Sequence, residues 1–319
     1  SHPRVAVPHP PHVVRYFTPL LPAYGDLSDD RAFRRLVDDI LRLVAVHVHP
    51  WDLSIDAARL VAEARPRDAF GVTTALYEQY REARGKARWA CKSTFMVDHV
   101  PAILARFPGA KLVLLVRDPR DVAVSSRDSV FSTFHPLHTA RLWRDQQAVA
   151  LGWVDQLPAS TIRVSYYERL VQEPEAEVRA LCEFIGEDFH PEMLRFFETA
   201  DARQSGALAE SWKRTAEPIR GDTVARWRGQ LSDDEVCWVE DTASAPMTRL
   251  GYALTHDEGA LAASRPGTAR RAWIALIEHA LHLRVEWRSL RRDQNVGRRW
   301  ARAALLWRLR VGAGLGLVG

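Results

Sequence analysis

The sequence predicts an α/β fold with a parallel sheet flanked by helices, and three observations carry that prediction. Residues 111–116, KLVLLV, form an unbroken apolar run of the kind found in strands buried on both faces. Arg117-Asp118-Pro119-Arg120-Asp121 follows at once, with Asp118 placed to cap a helix, Pro119 suited to its first position and Asp121 adding a carboxylate to the first turn. A second strand over 161–166 comes after a long helix around 138–157, so strand and helix alternate as in a βαβ unit.

The flanking elements follow from spacing and punctuation. Residues 1–24 hold six prolines and read as a stiff, extended segment in which His2, His9 and His12 lie close in sequence. From Ser28 the pattern turns helical: Phe33, Leu36, Val37, Ile40, Leu41 and Val44 recur at the 3.6-residue period behind Ser28, Asp29 and Asp30 as capping candidates. Two more helices are predicted over 55–64 and 73–84, separated by Pro66, so this opening stretch reads as helical and connective, without sheet. The helix that starts at Pro119 should pass through Val122, Ala123, Ser125 and Ser126 toward Val130. Pro174 opens a helix with Val178, Leu181, Cys182 and Ile185 on one face, and Gly186 ends it. Ser232-Asp233-Asp234-Glu235 caps another that stops at Gly251-Tyr252. The expected division is an α/β domain over 1–252, a linker over 253–267 and a basic helical tail over 268–319, whose apolar positions include Trp273, Ile274, Ile277, Leu281 and Trp287.

Composition bounds the function. With 319 residues, 47% of them hydrophobic and 26% charged, the chain can close a sizeable core and is not a coiled coil, a collagen or a disordered polymer. Its apolar runs all fall short of the roughly 18 residues that span a bilayer. Cys91, Cys182 and Cys237 are odd in number and scattered, which argues against a disulfide framework and a CxxC zinc site, and makes the cytoplasm the expected compartment with no metal. Residues 260–319 hold 12 arginines against Glu278, Glu286 and Asp293, so the basic balance belongs to the tail and gives no reason to expect a nucleic-acid partner. Such a tail either lies on an anionic membrane surface or packs its apolar face on the body.

In open parallel sheets, ligands sit beyond the carboxyl ends of the strands, where helix N-termini point at anions. Arg117 occupies such a place, its forked guanidinium suits phosphate or sulfate, and Ser125 stands about two helical turns on. A plain surface pair with a carboxylate is the alternative for Arg117. Only Lys86, Lys92, Lys111 and Lys213 are lysines among 44 cations, so Lys92 is a rare choice.

Residues 111–126, KLVLLVRDPRDVAVSS, resemble the 3′-phosphate-binding strand-turn-helix of the sulfotransferases that use 3′-phosphoadenosine 5′-phosphosulfate (PAPS), in its bacterial and tyrosylprotein-type branch. Trp89-Ala90-Cys91-Lys92-Ser93 is similar to the lysine segment that precedes this unit, and Tyr166-Tyr167-Glu168-Arg169-Leu170 to the element that follows it. Arg220, Gly221 and Trp227 resemble the late segment that closes over the nucleotide. The resemblance, over most of residues 1–252, implies a P-loop-NTPase-like sheet, to which the helical tail is a C-terminal extension, with PAPS as co-substrate and a small-molecule, carbohydrate or peptide acceptor bearing a hydroxyl. It implies Arg117 and Ser125 on the 3′-phosphate, Tyr167, Arg220, Gly221 and Trp227 around the nucleotide, and Lys92 on the leaving phosphate.

The family's glutamate base would fall near Pro10 and is absent, leaving His12, ahead of His9, as the expected base, with His99, His135 and His138 as competitors. Phe17, Tyr24, Trp51, Phe131 and Phe134 are either acceptor-pocket residues or ordinary core. The family's 5′-phosphosulfate loop and its strand would precede Ser1 and do not occur in these residues, so the expectation is an N-terminally truncated chain unable to transfer sulfate by itself. A non-catalytic nucleotide-binding scaffold and a nucleotide-sugar transferase are the alternatives from other classes.

Overall fold

A computed structural model describes residues 1–127, 129 and 134–314, and the chain divides into two compact units, residues 1–96 with 293–319 and residues 97–292. Val130 and Phe131, named above as a helix end and a pocket candidate, lie outside the described residues.

The first unit contains β1 (Val5–Ala6), α1 (Val13–Phe17), α2 (Asp30–Ala45), α3 (Ala57–Glu63), α4 (Ala69–Ala83) and β2 (Arg88–Trp89). Helix α2 starts where predicted because the Asp29 carboxylate accepts the N–H groups of Arg31 and Ala32. Its Phe33, Leu36, Val37, Ile40 and Leu43 are fully buried and meet Phe17, Tyr24, Leu60, Val72, Leu76 and Tyr77 in the largest core cluster. The proline-rich opening is not extended throughout. Val13, Val14, Phe17, Leu20 and Tyr24 recur three or four residues apart and are buried, so residues 13–24 coil into α1 and a 3-10 stretch over Thr18–Tyr24. Nor is this stretch free of sheet: Val5–Ala6 pairs in parallel with Arg88–Trp89, a strand pair too short to leave a period in the sequence.

The second unit contains α5 (Val100–Arg106), β3 (Leu112–Val116), α6 (Pro119–Ser126), α7 (Pro136–Gln156), β4 (Ile162–Tyr166), α8 (Tyr167–Gln172), α9 (Pro174–Ile185), α10 (Ala200–Leu208), α11 (Trp227–Gln230), α12 (Asp233–Arg249), α13 (Glu258–Ser264) and α14 (Thr268–Arg292). Strands β3 and β4 pair in parallel from Leu112 opposite Ile162 to Val116 opposite Tyr166, as the alternation predicted. Burial on both faces of β3 is not observed. Leu114 and Val116 pack with Trp143 and Leu151 of α7 and Ala243 and Met247 of α12, whereas Val113 and Leu115 are 44% and 53% exposed. Among the described residues β3 pairs with β4 alone, and one helical layer covers one face. Helix α9 ends at Gly186, whose φ of 73° needs no Cβ, and α12 opens on a capping box between Ser232 and Glu235.

Residues 253–267 are not uniformly a linker: they contain α13, which buries Leu261. The tail is two helices. Helix α14 belongs to the second unit, and α15 (Val296–Gly314) belongs to the first, where Leu305, Leu306 and Leu309 join the core.

One glycine is fixed by close approach. A Cβ on Gly71, in the first turn of α4, would sit 1.9 Å from the Pro66 carbonyl oxygen, so α4 can pack against that backbone only without a side chain. Gly71→Ala is expected to destabilise the first unit by about 1–3 kcal/mol in urea unfolding, and an unchanged midpoint would contradict this packing.

Candidate functional site

The end of β3 delivers Arg117 to a small aromatic and hydroxyl cluster. Its carbonyl accepts the Trp143 indole N–H at 3.1 Å, which ties the strand end to α7. Its guanidinium stands 4.3 Å from the centroid of the Tyr167 ring, and Nη2 donates to the Thr223 carbonyl at 2.8 Å. The buried Nε has no hydrogen-bond partner among the described residues. The Tyr167 hydroxyl donates to Thr223 Oγ1 at 3.0 Å, and the Thr223 hydroxyl donates in turn to the Arg220 carbonyl. Arg117, Tyr167 and the 220–223 backbone are thus joined by direct contacts.

Other expected residues take distinct places. Ser125 is exposed on α6, about 9 Å along the helix axis from Pro119 at 1.5 Å per residue. Arg220 is exposed and ion-paired with Asp222 at 2.9 Å, while Gly221 begins a 3-10 turn over Gly221–Thr223. Trp227 is buried against Val124 and Val236.

What holds this arm in place is a charge network that begins one helical turn after Arg117. Arg120 is buried, donates to both oxygens of Asp118, and donates to Glu240 Oε1 at 2.6 Å. Its guanidinium lies 4.1 Å from the Trp227 ring centroid. Glu240, with no exposed surface, also accepts the backbone N–H and hydroxyl of Thr255 and the N–H of His256. Burial works against both charges, but the hydrogen bonds with Asp118 and Glu240 lift the Arg120 pKa above its ordinary value. Those from Thr255 and Arg120 hold Glu240 below its own. Asp121 accepts the N–H groups of Ala225 and Trp227 at 2.7 and 3.0 Å, and Glu168 accepts the Asp118 N–H and the Tyr252 hydroxyl. Asp121 is pushed up by burial, with the two N–H groups pulling the other way.

In the first unit, His9, His12 and Lys92 are neighbours. Lys92 is exposed just after β2, and its charge helps to depress both imidazoles. His12 takes a left-handed conformation at the start of α1 (φ 57°), places Nδ1 3.0 Å from the Ser93 hydroxyl, and meets Phe95 edge-on. Burial, then Arg302, His47, Arg15 and Lys92, lower its pKa to about 4. His9 stacks on His49 at 3.6 Å and is lowered to about 3 by burial and by His49, Lys92 and His47. Both rings are therefore neutral at pH 7, the state in which an imidazole can accept a proton.

A family model for sulfotransferases matches residues 1–191. The chain belongs to the sulfotransferase family. It is 26% identical over 168 residues to protein-tyrosine sulfotransferase A of Caenorhabditis elegans, a match that covers 50% of this chain and 44% of that protein. It is also 26% identical over 159 residues to a putative protein-tyrosine sulfotransferase of Caenorhabditis briggsae, covering 48% and 56%. The chain thus spans about half the length of these relatives. Among solved structures, the sulfotransferase domain from the curacin biosynthetic pathway aligns with a TM-score of 0.46 and 18% identity, over 63% of this chain and 75% of that one.

Within this sulfotransferase-family chain, two of the three competing histidines have structural partners among the described residues. His135 is buried at the start of α7, where Nδ1 accepts the Leu137 N–H and the ring stacks on Trp238. His138 lies 3.6 Å from Glu278, and His99 precedes α5. Phe17 and Tyr24 are core, Phe134 is buried beside His282, and the Trp51 indole donates to the His9 carbonyl. Asp233, Cys237 and His256 bring their possible ligand atoms within 4.8 Å of one another, and there His256 bridges Asp233 and Glu240.

Sequence reasoning took Asp121 only as a first-turn carboxylate and Arg120 and Glu168 only as members of motifs, without their partners, and it missed Thr223 and Glu240. One signal was present: a cation in the first turn of a helix opposes the helix dipole, which marks Arg120 as a residue in need of a partner.

A pH prediction follows from the lowered histidines. Below the ordinary value of 6.5 the unfolded chain binds protons that native His12 and His47 refuse until about 4, and His9 until about 3. Their contribution to stability is complete above pH 6.5 and is lost as pH falls through that window. The urea midpoint of the first unit should drop between pH 6.5 and 4, with a shallower drop in His12→Gln; identical slopes for the two proteins would contradict this.

Proposed function

We propose that this chain binds PAPS at the β3–α6 turn and serves sulfuryl transfer to a hydroxyl acceptor, with tyrosine-bearing peptides as the acceptor class. One observation carries the reading. Among the described residues Arg117 spends one donor on a backbone carbonyl and none on a carboxylate, and its buried Nε has no partner there, so the guanidinium keeps charge and hydrogen-bonding capacity for an anion. A 3′-phosphate fits that donor set, with the exposed Ser125 hydroxyl as a second donor. The bound nucleotide would supply a sulfuryl group on a phosphate leaving group.

In this reading Arg117 holds the 3′-phosphate, and Tyr167 keeps the guanidinium plane oriented while presenting its ring edge to the nucleotide. Gly221 and Arg220 border the site, and the buried Trp227 acts by steadying the 223–227 backbone. Lys92 is a point charge on a flexible stem, suited to negative charge developing on a leaving phosphate. Within the first unit, neutral His12 is suited to taking the proton of an acceptor hydroxyl, and His9 stacks on His49. The peptide acceptor is supported by the protein-tyrosine sulfotransferase names of the relatives.

Calorimetry of the full chain with adenosine 3′,5′-bisphosphate tests the reading without requiring turnover. Binding should be measurable, Arg117→Ala should weaken it about 10- to 100-fold, the range of a charge-assisted hydrogen bond, and Ser125→Ala about 3- to 10-fold. No binding by the wild type, or equal binding by Arg117→Ala, would overturn it.

A further inference from the structure

We propose that α14 lies along an anionic phospholipid surface, seated by an apolar stripe on its outer side. The helix is apolar on two faces. The inner one is tied within the second unit by Ile274, which packs with Leu137 and Trp238, and by Glu278, which accepts the N–H groups of Phe134 and His135; Val285 and Ser289 are also buried. The outer one carries Trp273, Leu276, Leu283, Trp287 and Leu290, each 48–68% exposed, with exposed Ala280 among them. These six positions alternate in steps of three and four, so they fall on one line along 18 residues of helix. An exposed Trp buries about 150–250 Å² when fully covered, so the two tryptophans alone make this more than scattered surface apolarity.

Charge and residue type select the occupant. Six arginines stand in α14 against Glu278 and Glu286, and Glu278 is turned to the body. Arg270 is paired with Asp234, and Arg288 and Arg292 with Glu210; Arg284 and Arg291 have no carboxylate among their described partners. By helical geometry both flank the stripe, and Arg291 stacks 3.8 Å from the Trp287 ring centroid. A second copy of the helix would set these cations against one another, and although Leu276, Leu283 and Leu290 would suit a two-helix seam, the positions between them hold Trp273, Ala280 and Trp287, where β-branched residues pack best.

An anionic lipid surface instead offers opposite charge to the arginines and an interfacial zone that suits tryptophan, while the leucines enter the acyl boundary. No helix among the described residues is long and apolar enough to cross a membrane, so the geometry is that of a helix lying in the surface plane. Helix α15 repeats the chemistry, with exposed Trp300, Trp307 and Val311, five arginines and no acidic residue.

The test is co-sedimentation of the full chain with vesicles of phosphatidylcholine alone and of phosphatidylcholine mixed with phosphatidylglycerol. The wild type should pellet with the mixed vesicles only, and raised salt should release it. Trp273→Ser with Trp287→Ser should lower partitioning by about 10-fold or more, given the free energy of burying large apolar side chains. Arg284→Glu with Arg291→Glu, which leaves the stripe intact, should lower it comparably. Both pairs are solvent-exposed, and circular dichroism should show an unchanged fold. A wild type that stays in the supernatant, pairs of substitutions that pellet like the wild type, or a lipid-free dimer that the tryptophan substitutions dissolve would each overturn the proposal.

Discussion

A buried guanidinium organises the second unit. Arg120 comes from the turn after β3, Asp118 from the cap of the same helix, and Glu240 from the middle of α12, 120 residues away. Taking such charges out of water costs several kcal/mol each, and only a closed set of hydrogen bonds offsets that. The set is closed here by Thr255 and His256 on Glu240 and by the Trp227 ring against Arg120. Helix α6, helix α12 and the 253–256 and 225–227 backbone therefore share one electrostatic centre.

The candidate anion site hangs on that centre. Asp121, one residue on, grips the amides of Ala225 and Trp227, and this brings Thr223 to the Arg117 guanidinium and the Tyr167 hydroxyl. Among the described residues Arg117 has no carboxylate hydrogen-bond partner, because its neighbours in the turn take up the acidic groups: Asp118 and Glu240 answer Arg120, Asp121 answers backbone N–H groups, and Glu168 answers the Asp118 amide and Tyr252. Among the described residues, the acidic groups of this turn are thus taken up by Arg120 and by backbone N–H groups, and Arg117 is held by a carbonyl and an aromatic ring.

Much of this was legible in the sequence for local reasons. The β3–turn–α6 unit announces itself through an apolar run, a capping aspartate and a proline within 16 residues, and Arg117 and Ser125 could be singled out as candidates because their placement depends on spacing along that unit. The caps at Asp29 and Ser232 and the stop at Gly186 are equally local. The rest depends on contacts distant in sequence. Nothing near Arg120 indicates Glu240, nothing in KLVLLV says that Val113 and Leu115 face away from the helical layer, and a two-residue strand such as Val5–Ala6 carries no period. Residues 13–24 were misread because prolines at 19 and 22, compatible with 3-10 geometry, outweighed the helical spacing of Val13, Phe17 and Leu20. In α14, Trp273 and Trp287 were read as apolar positions among arginines, but only the structure shows that they face away from the body.

The most direct test of the central claim is a double-mutant cycle on Arg120→Met and Glu240→Leu, with the stability of the second unit read from hydrogen exchange across 119–126 in urea. Arg120→Met leaves Asp118 and Glu240 buried without their cation and should cost about 3–5 kcal/mol, Glu240→Leu leaves Arg120 with Asp118 alone and should cost less, and the pair should cost clearly less than the sum of the two. Costs that simply add would show that Arg120 and Glu240 act independently, and that the turn does not depend on their shared network.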